Sequence, residues 1–185
     1  MDLLTANQKL NDRLNELRAC CATGSPWVFV GASAFLEYLT KLAGRTGSQG
    51  YKDFVSDELE KVNGFYRSFR YRNGAQDLPT QMYHVLRCGI VHSLSLVPDA
   101  RAVAAGGRDR SIVLCHAQEA RSKKLSHLGN YTGGGLDAAL FVAEDFVDDL
   151  QKVTAQLFTS AAQGSAQTAT MKAQLQNHPF ISAGY

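Results

Sequence analysis

The stretch from Asp77 to Leu96, DLPTQMYHVLRCGIVHSLSL, restricts the fold more than any other part of the chain. Asp77 is a good N-cap and proline is tolerated in a first helical turn, so the stretch predicts one long helix. At about 100° per residue, one broad arc of this helix is apolar except for a serine; it comprises Met82, Val85, Leu86, Gly89, Ile90 and Ser93.

The opposite arc of this helix holds reactive side chains: His84, Arg87, Cys88 and His92, with Val91 among them. An amphipathic helix usually fills its polar face with Lys, Glu, Gln or Ser. Two histidines, an arginine and a cysteine exceed what solvation requires. The pattern therefore places the candidate function on this face.

Length and composition indicate one soluble globular domain. The chain has 185 residues, 45% hydrophobic and 19% charged, and its net charge of +2 does not by itself indicate a nucleic-acid partner. The charges are unevenly distributed, however. Residues 100–127 hold six basic and two acidic side chains, whereas residues 136–150 hold five acidic and no basic ones. This distribution predicts a basic patch and an acidic face.

The cysteines and apolar runs indicate a cytoplasmic protein with free thiols and no membrane segment. None of Cys20, Cys21, Cys88 and Cys115 forms a C-x-x-C pair. The start of the chain lacks a signal-peptide pattern. The longest apolar run, Trp27 to Leu36, is about half of what a membrane span requires.

Apolar spacing predicts five helices, at residues 2–21, 26–42, 51–70, 77–96 and 136–161. The second is apolar nearly all round, which predicts a central helix. Residues 44–50 read as a loop, and short runs at 112–117 and 124–128 predict a β-hairpin between helices four and five. The fold class expected is mainly all-α, an up-and-down bundle over residues 1–160. Residues 161–185 form a tail, weakly structured or packed on a partner, with one weak helix near 168–176.

Two basic segments are candidate RNA contacts. The segment FYRSFRYRNG alternates rings with Arg67, Arg70 and Arg72, as contacts to single-stranded RNA do, although arginines also favour a helix C-terminus. The predicted hairpin carries Arg108, Arg110, Arg121, Lys123 and Lys124, which also suit a solvated sheet edge. The triple glycine at 133–135 suits a hinge, or an anion site at the N-terminus of the fifth helix.

The reactive face of the fourth helix has three interpretations. His84, Cys88 and His92 share a spacing of four residues that suits Zn²⁺, with further ligands from Cys115, His116 or His127. Alternatively the face is structural, with a small buried cysteine, a satisfied histidine and Arg87 bridging to a carboxylate such as Glu37. In the third interpretation, Arg87 grips a phosphate and His92 moves a proton near neutral pH. Two copies meeting across a two-fold axis would supply two such pairs.

The segment YHVLRCGIVHS, with Arg87 and His92 five positions apart, resembles the R-x4-6-H motif helix of the HEPN superfamily of small α-helical domains. The order of predicted helices also resembles that of such domains. The resemblance implies a metal-independent endoribonuclease without a cofactor, active as a homodimer. Arg87 would bind the scissile phosphate, and His92 would be the general acid and base during attack by the RNA 2′-hydroxyl. His84 and Cys88 would support this face.

Two positions depart from the superfamily pattern. Active members commonly have Asn or another polar residue after the motif arginine, where this chain has Cys88. Toxins regulated by a nucleotidyltransferase often have Tyr two residues after the histidine, where this chain has Leu94. The other function expected is therefore a non-catalytic dimerisation, ligand-binding or RNA-binding subunit of a defence or regulatory system, whose partner protein the sequence does not identify.

Overall fold

A computed structural model of the chain describes residues 2–72, 76–92, 94–96 and 100–177. The fold is mainly helical, as predicted. Helix α1 spans Leu3–Ala22, and α2 spans Trp27–Leu42. Helix α3 begins as Gly47–Phe54, continues through the π-helical stretch Val55–Leu59 and ends with Glu60–Val62. The short helix α4 is Phe65–Ser68, and α5 joins an α-helical turn, Leu78–Gln81, to a π-helical stretch, Met82–Val91.

The second half of the described chain combines helices with a small sheet. It comprises helix α6 (Ala100–Ala104), strand β1 (Ile112–Cys115), helix α7 (Ala117–Ser122), strand β2 (Asn130–Tyr131), strand β3 (Ala138–Val142) and helices α8 (Ala143–Gln163) and α9 (Ser165–Asn177). Strand β3 lies in the middle of the sheet. It pairs in parallel with β1, Ile112 opposite Ala139, and antiparallel with β2, Tyr131 opposite Ala138.

Side-chain caps start α1 and α5. The Asp2 carboxylate accepts from the Thr5 backbone N–H at 2.8 Å, and the Asp77 carboxylate accepts from the Thr80 N–H at 2.8 Å. Each cap satisfies a donor that the first helical turn leaves without an intrahelical partner. The predicted role of Asp77 as the cap of the motif helix is therefore confirmed.

Helix α2 is the central helix, as its apolar sequence predicts. It contacts α1, α3, α5, α8 and α9, and its side chains Val28, Leu36 and Leu39 are fully buried. Helix α1 packs across α8, where the Arg18 guanidinium also meets Asp148 at 2.5 Å. Because α5 packs on α2, the motif helix is fixed against the core of the domain.

Several predicted boundaries were wrong. The third helix starts inside the predicted loop, at Gly47, and ends at Val62, because the extended backbone of Asn63 interrupts it before residue 70. The motif helix ends at Val91, with His92 as its C-cap, rather than at residue 96. The left-handed backbone of Leu94, with φ of 52°, does not continue a right-handed helix.

The predicted hairpin and the predicted start of the fifth helix were also wrong. Strand β1 falls within the predicted 112–117, but residues 124–128 form no strand, and helix α7 lies between the two segments. The partner of β1 is β3, which occupies residues expected to begin the fifth helix. Its five residues Ala138–Val142 are all buried, and such a short apolar run does not distinguish a buried strand from a helix.

The C-terminal region contributes to the core as far as Leu175. Helix α9 contains the helix predicted at 168–176, and its Met171 and Leu175 are buried against the bundle. Residues 178–185 of the predicted tail lie outside the described residues. Among the helices of the described ranges, none combines the length and the apolar character needed to cross a membrane.

Gly89 is required by a close approach between the motif helix and the segment that follows it. The Ser95 N–H donates to the Gly89 carbonyl at 3.3 Å, and a Cβ on Gly89 would clash with the Ser95 carbonyl oxygen. A backbone atom cannot rotate away as a side chain can. The path of residues 94–96 beside the helix therefore depends on this glycine.

We expect Gly89→Ala to destabilise the fold by about 1–3 kcal/mol, the usual cost of overpacking, measured as the free energy of unfolding in denaturant. Gly64→Ala is the matched control, because a Cβ there meets no atom within 4 Å. It should change stability by less than about 0.5 kcal/mol. A Gly89→Ala variant as stable as the control would contradict this account of the turn.

Candidate functional site

Arg87 lies half-buried between α5 and α2, where three groups contact its guanidinium. Its Nη2 donates to Glu37 Oε1 at 3.2 Å, and its Nη1 lies 3.8 Å from Cys88 Sγ. The guanidinium carbon also lies 5.4 Å from the centre of the Tyr83 ring, within cation–π range. Lys41 Nζ approaches the same Glu37 oxygen at 3.1 Å. The bridge from Arg87 to Glu37 that the structural interpretation predicts is confirmed.

Glu37 is a carboxylate held ionised by its neighbours. Its side chain is only 16% exposed, and this burial opposes ionisation. The hydrogen bonds and positive charges of Lys41 and Arg87 outweigh burial and lower the pKa of Glu37 below its ordinary value of 4.5. A buried cation needs such a partner, so Glu37 is the residue that fixes Arg87 in place.

His92 lies at the other end of the motif, as the exposed C-cap of α5. Two large apolar side chains are also exposed, Trp27 at 61% and, two residues after His92, Leu94 at 64%. Both line a cavity of about 400 Å³ whose walls also include Phe29 and Ile90. The end of the motif helix thus combines a solvent-exposed imidazole with an apolar rim.

The four reactive side chains do not share one surface. His84 is 5% exposed, and its ring packs edge-on against Tyr83 with centroids 5.2 Å apart. Cys88 is half-buried beside Arg87, whereas His92 is exposed. The structure therefore groups Cys88 with Arg87, places His84 in the interior and leaves His92 at the helix end.

The π-helical winding of Met82–Val91 changes the geometry that an α-helix would give the motif. On an α-helix, side chains five residues apart point about 140° away from each other. A π-helix bonds each residue to the one five positions earlier, so residues at that spacing come closer to one face. π-Helical turns are frequent at functional sites. In this structure, however, Arg87 lies against Glu37 of α2 and His92 is exposed at the helix end, so the winding does not by itself pair them within one chain.

The predicted RNA-binding residues differ in their ion pairs and in how far their side chains are exposed. Arg67 pairs with Glu60 at 3.0 Å, Arg70 donates to the carbonyls of Arg67 and Phe69, and Lys123 pairs with Glu119 at 2.7 Å. Arg108 is the most enclosed, with an ion pair to Asp137 at 3.2 Å and the Tyr71 ring 4.8 Å away. The side chains that the structure leaves exposed are Arg67, Arg70, Arg72, Arg110, Arg121, Lys123 and Lys124.

Asp137 connects two of these segments. It pairs with Arg108, and its Oδ1 accepts from the Arg72 backbone N–H at 2.9 Å. The aromatic–basic segment and the segment before β1 therefore meet, whereas Arg121, Lys123 and Lys124 lie on or just after α7. The triple glycine precedes a strand, not a helix, so it has no helix N-terminus with which to hold an anion.

His116 and His127, predicted as alternative metal ligands, belong to separate clusters. His116 Nδ1 lies 3.6 Å from Glu144 Oε1, at a wall of the 400 Å³ cavity. His127 is buried with Tyr66 and Asp149: its Nε2 lies 3.3 Å from Tyr66 Oη and 3.5 Å from Asp149 Oδ2. Within the described ranges, no three His, Cys, Asp or Glu side chains converge as a metal site requires.

The His127 cluster connects secondary-structure elements inside the fold. His127 Nδ1 accepts from the Val142 backbone N–H at 3.1 Å, so the ring proton lies on Nε2. Burial first, then the charge of Asp149, raises the pKa of Tyr66 well above its ordinary value. Phe141 and Phe146 pack around the His127 ring. This cluster joins α4, β3 and α8 and supports the core.

Sequence reasoning missed the polar residues that surround Arg87 apart from Glu37. Lys41, Arg45 and Tyr51 come from α2, from the loop after it and from α3, and no single motif contains them. A signal was present in the Gly44–Gly50 segment, whose small residues and Thr46 suit a helix start.

Comparison of the chain with protein-family models, curated proteins and solved structures finds no match.

Replacing Glu37 with glutamine should reduce stability at pH 7 by about 1 kcal/mol, because Arg87 and Lys41 lose their counter-charge in a partly solvated site. Since folding lowers the pKa of Glu37, this contribution is present above the ordinary value of 4.5 and disappears as pH falls through the folded value. Denaturant unfolding of both proteins between pH 3 and 7 measures it.

The control for this experiment is Glu119→Gln, which breaks an ion pair whose two side chains are both about half exposed. It should change stability by less than about 0.5 kcal/mol at any pH in this range. An equal effect of the two substitutions, or a Glu37 effect that does not decrease as pH falls, would show that Glu37 does not fix Arg87 electrostatically.

Proposed function

We propose that this protein is a HEPN-like homodimer that cleaves RNA without a metal ion, using Arg87 and His92. The proposal is carried by the environment of the two motif residues. Arg87 is half-buried and fixed by Glu37, and His92, five residues later, is exposed at the end of the π-helical stretch. Under the proposal, α1, α2, α3, α5 and α8 correspond to the five helices of the up-and-down bundle.

Arg87 would bind the scissile phosphate. A guanidinium has five N–H donors, and the contacts to Glu37 and Cys88 use only part of them. Because Glu37 and Tyr83 restrict the side chain, little of its conformational freedom remains to be lost when a phosphate binds. A fixed cation also stabilises the charge that develops on the phosphoryl oxygens during displacement.

His92 would transfer the protons. In the proposed step, one imidazole takes the proton of the RNA 2′-hydroxyl as O2′ forms a bond to phosphorus. The bond from phosphorus to the 5′-oxygen breaks, and a protonated imidazole supplies the proton to this leaving oxygen. The products are a 2′,3′-cyclic phosphate and a 5′-hydroxyl. The imidazole that has taken the O2′ proton becomes the acid, so one His92 can make both proton transfers.

The apolar rim beside His92 supports the dimer. Trp27 and Leu94 expose most of their surface next to the motif, and burial of such side chains drives association between subunits. A two-fold axis near this rim would bring the two His92 side chains toward one another. The exposed arginines and lysines, Arg67, Arg70, Arg72, Arg110, Arg121, Lys123 and Lys124, would then contact RNA phosphates outside the site.

The second function proposed is a non-catalytic dimerisation, ligand-binding or RNA-binding subunit of a defence or regulatory system. Cys88 beside Arg87 favours it, since active superfamily members commonly have a polar residue at that position. As a subunit of such a system, the chain would also bind a protein partner. Under it, Arg87 and His92 stabilise an interface, and their loss should alter the dimer without removing any reaction.

We expect the purified protein to cleave single-stranded RNA in excess EDTA and to leave cyclic phosphate ends. His92→Ala and Arg87→Ala should each reduce the rate by about a hundredfold or more, the usual contribution of a general acid or base or of an electrostatic stabiliser. Gel analysis of labelled RNA measures the rate, and size-exclusion chromatography with light scattering measures the oligomeric state.

Arg18→Ala is the control, because Arg18 is an exposed cation paired with Asp148. It should retain the wild-type rate. Cleavage that requires an added divalent ion would contradict the metal-independent mechanism. A protein without cleavage whose dimer dissociates on Arg87→Ala would favour the non-catalytic function instead.

A further inference from the structure

A cavity of about 80 Å³ lies beside Arg87, at the start of α3. Three cationic side chains line it: Lys41 from α2, Arg45 from the loop that follows, and Arg87 from α5. Among the described residues that line it, Glu37 is the single carboxylate beside these three cations. Asp57 and Glu58 also pair with Arg45, at 2.8 and 3.4 Å, but lie outside the lining.

Tyr51 carries a buried hydroxyl at this cavity. The side chain is 2% exposed and lines the cavity, and no residue in the described part of the chain hydrogen-bonds to its Oη. Burial first, and then the negative charge of Glu37, raises the pKa of Tyr51 far above its ordinary value, so the hydroxyl keeps its proton. A buried hydroxyl without a partner costs free energy, which a bound acceptor would recover.

The N-terminus of α3 supplies further donors. Thr46 is the N-cap, its side chain makes no capping hydrogen bond, and both Thr46 and Gly47 line the cavity. Gly44 and Gly47 have φ of 76° and 70°, the left-handed conformation that glycine adopts without strain. The first N–H groups of a helix have no intrahelical partner, and the helix dipole places positive charge there. Anions bind readily at such a position.

We propose that this pocket binds a phosphate monoester, with Lys41, Arg45, Arg87, the Tyr51 hydroxyl and the start of α3 as its donors. Glu37, Asp57 and Glu58 offset much of the charge of the three cations, so the anion is held by the donors that line the pocket and not by a net charge. The cavity of about 80 Å³ accommodates one phosphate group, and the rest of a larger ligand would extend from its opening into solvent. The carrier of the phosphate therefore stays outside the pocket.

We infer that the molecule carrying this phosphate is an RNA strand with a phosphorylated end. This identity rests on the proposed RNA cleavage, whereas the phosphate site itself does not. A phosphate monoester ends the strand and can enter a small recess from one side, whereas a diester must continue on both sides. Arg87 would connect the two sites, since it lines this pocket and carries the motif. An RNA end held here would be positioned beside the residues proposed to cleave it.

Calorimetric titration with inorganic phosphate tests the pocket itself. We expect one phosphate per chain, bound about tenfold more weakly by Tyr51→Phe, which removes only the hydroxyl, and by Lys41→Met. The matched controls are Tyr131→Phe, on β2, and Lys172→Met, on α9, which should bind as the wild type does. Lys41 is exposed on α2, so Lys41→Met decides the question if Tyr51→Phe does not fold. Absence of binding, or equal effects of pocket and control variants, would overturn the proposal.

The RNA carrier is tested in a His92→Ala background, which removes cleavage under the proposed function. Oligonucleotides with a 5′-phosphate, a 3′-phosphate or neither are compared by fluorescence anisotropy. We expect a phosphorylated end to bind about tenfold more tightly, and Tyr51→Phe to abolish this difference. Equal affinity for all three, with inorganic phosphate still bound, would assign the pocket to free phosphate and overturn the RNA end as its ligand.

The two proposals fail separately. Phosphate binding at the pocket without any cleavage by the wild-type protein would overturn the ribonuclease and leave the pocket established. Chelator-resistant cleavage without phosphate binding would overturn the pocket and leave the ribonuclease.

Discussion

The fold depends on the burial of α2. This helix is apolar on most of its surface, so it is stable in water only where neighbours cover it, and α1, α3, α5, α8 and α9 do so. The polar exceptions on α2 are therefore informative. Glu37 and Lys41 lie where α2 meets α3 and α5. Glu37 binds Arg87 on this side of the central helix. The requirement to cover α2 thus fixes both the core and the position of the motif arginine.

A charge placed among packed helices must be paired, and this requirement explains the chemistry around Arg87. Glu37 alone bridges two cations, and Tyr83 covers the guanidinium. The arrangement gathers Lys41, Arg45 and Arg87 at the start of α3 and leaves the hydroxyl of Tyr51 without a partner in the described residues. Such a site is costly for stability alone, because apolar residues of the same volume would pack without this desolvation. Its cost is consistent with a site that holds an anion.

The sequence predicted the helices whose apolar spacing is long and regular, and it predicted less where the signal is short or depends on distant residues. Helices α1 and α2, the cap at Asp77 and the Arg87–Glu37 bridge are confirmed. Strand β3 was mistaken for the start of a helix because five buried apolar residues fit either structure. The π-helical winding of Met82–Val91 had no local signal, although it decides how Arg87 and His92 face. The pocket at Tyr51 combines three separate elements, which no single stretch of sequence reveals.

The central claim is that Arg87 and His92 act across a two-fold axis, and a mixing experiment tests it most directly. Arg87→Ala and His92→Ala chains, each inactive alone, are mixed, allowed to exchange subunits and assayed for RNA cleavage in EDTA. Arg87 is turned toward α2 and His92 is exposed at the helix end, so the account predicts that the pair is completed between copies and that the mixed dimer regains activity. Mixed dimers that form, as shown by differently tagged chains, but stay inactive would contradict it.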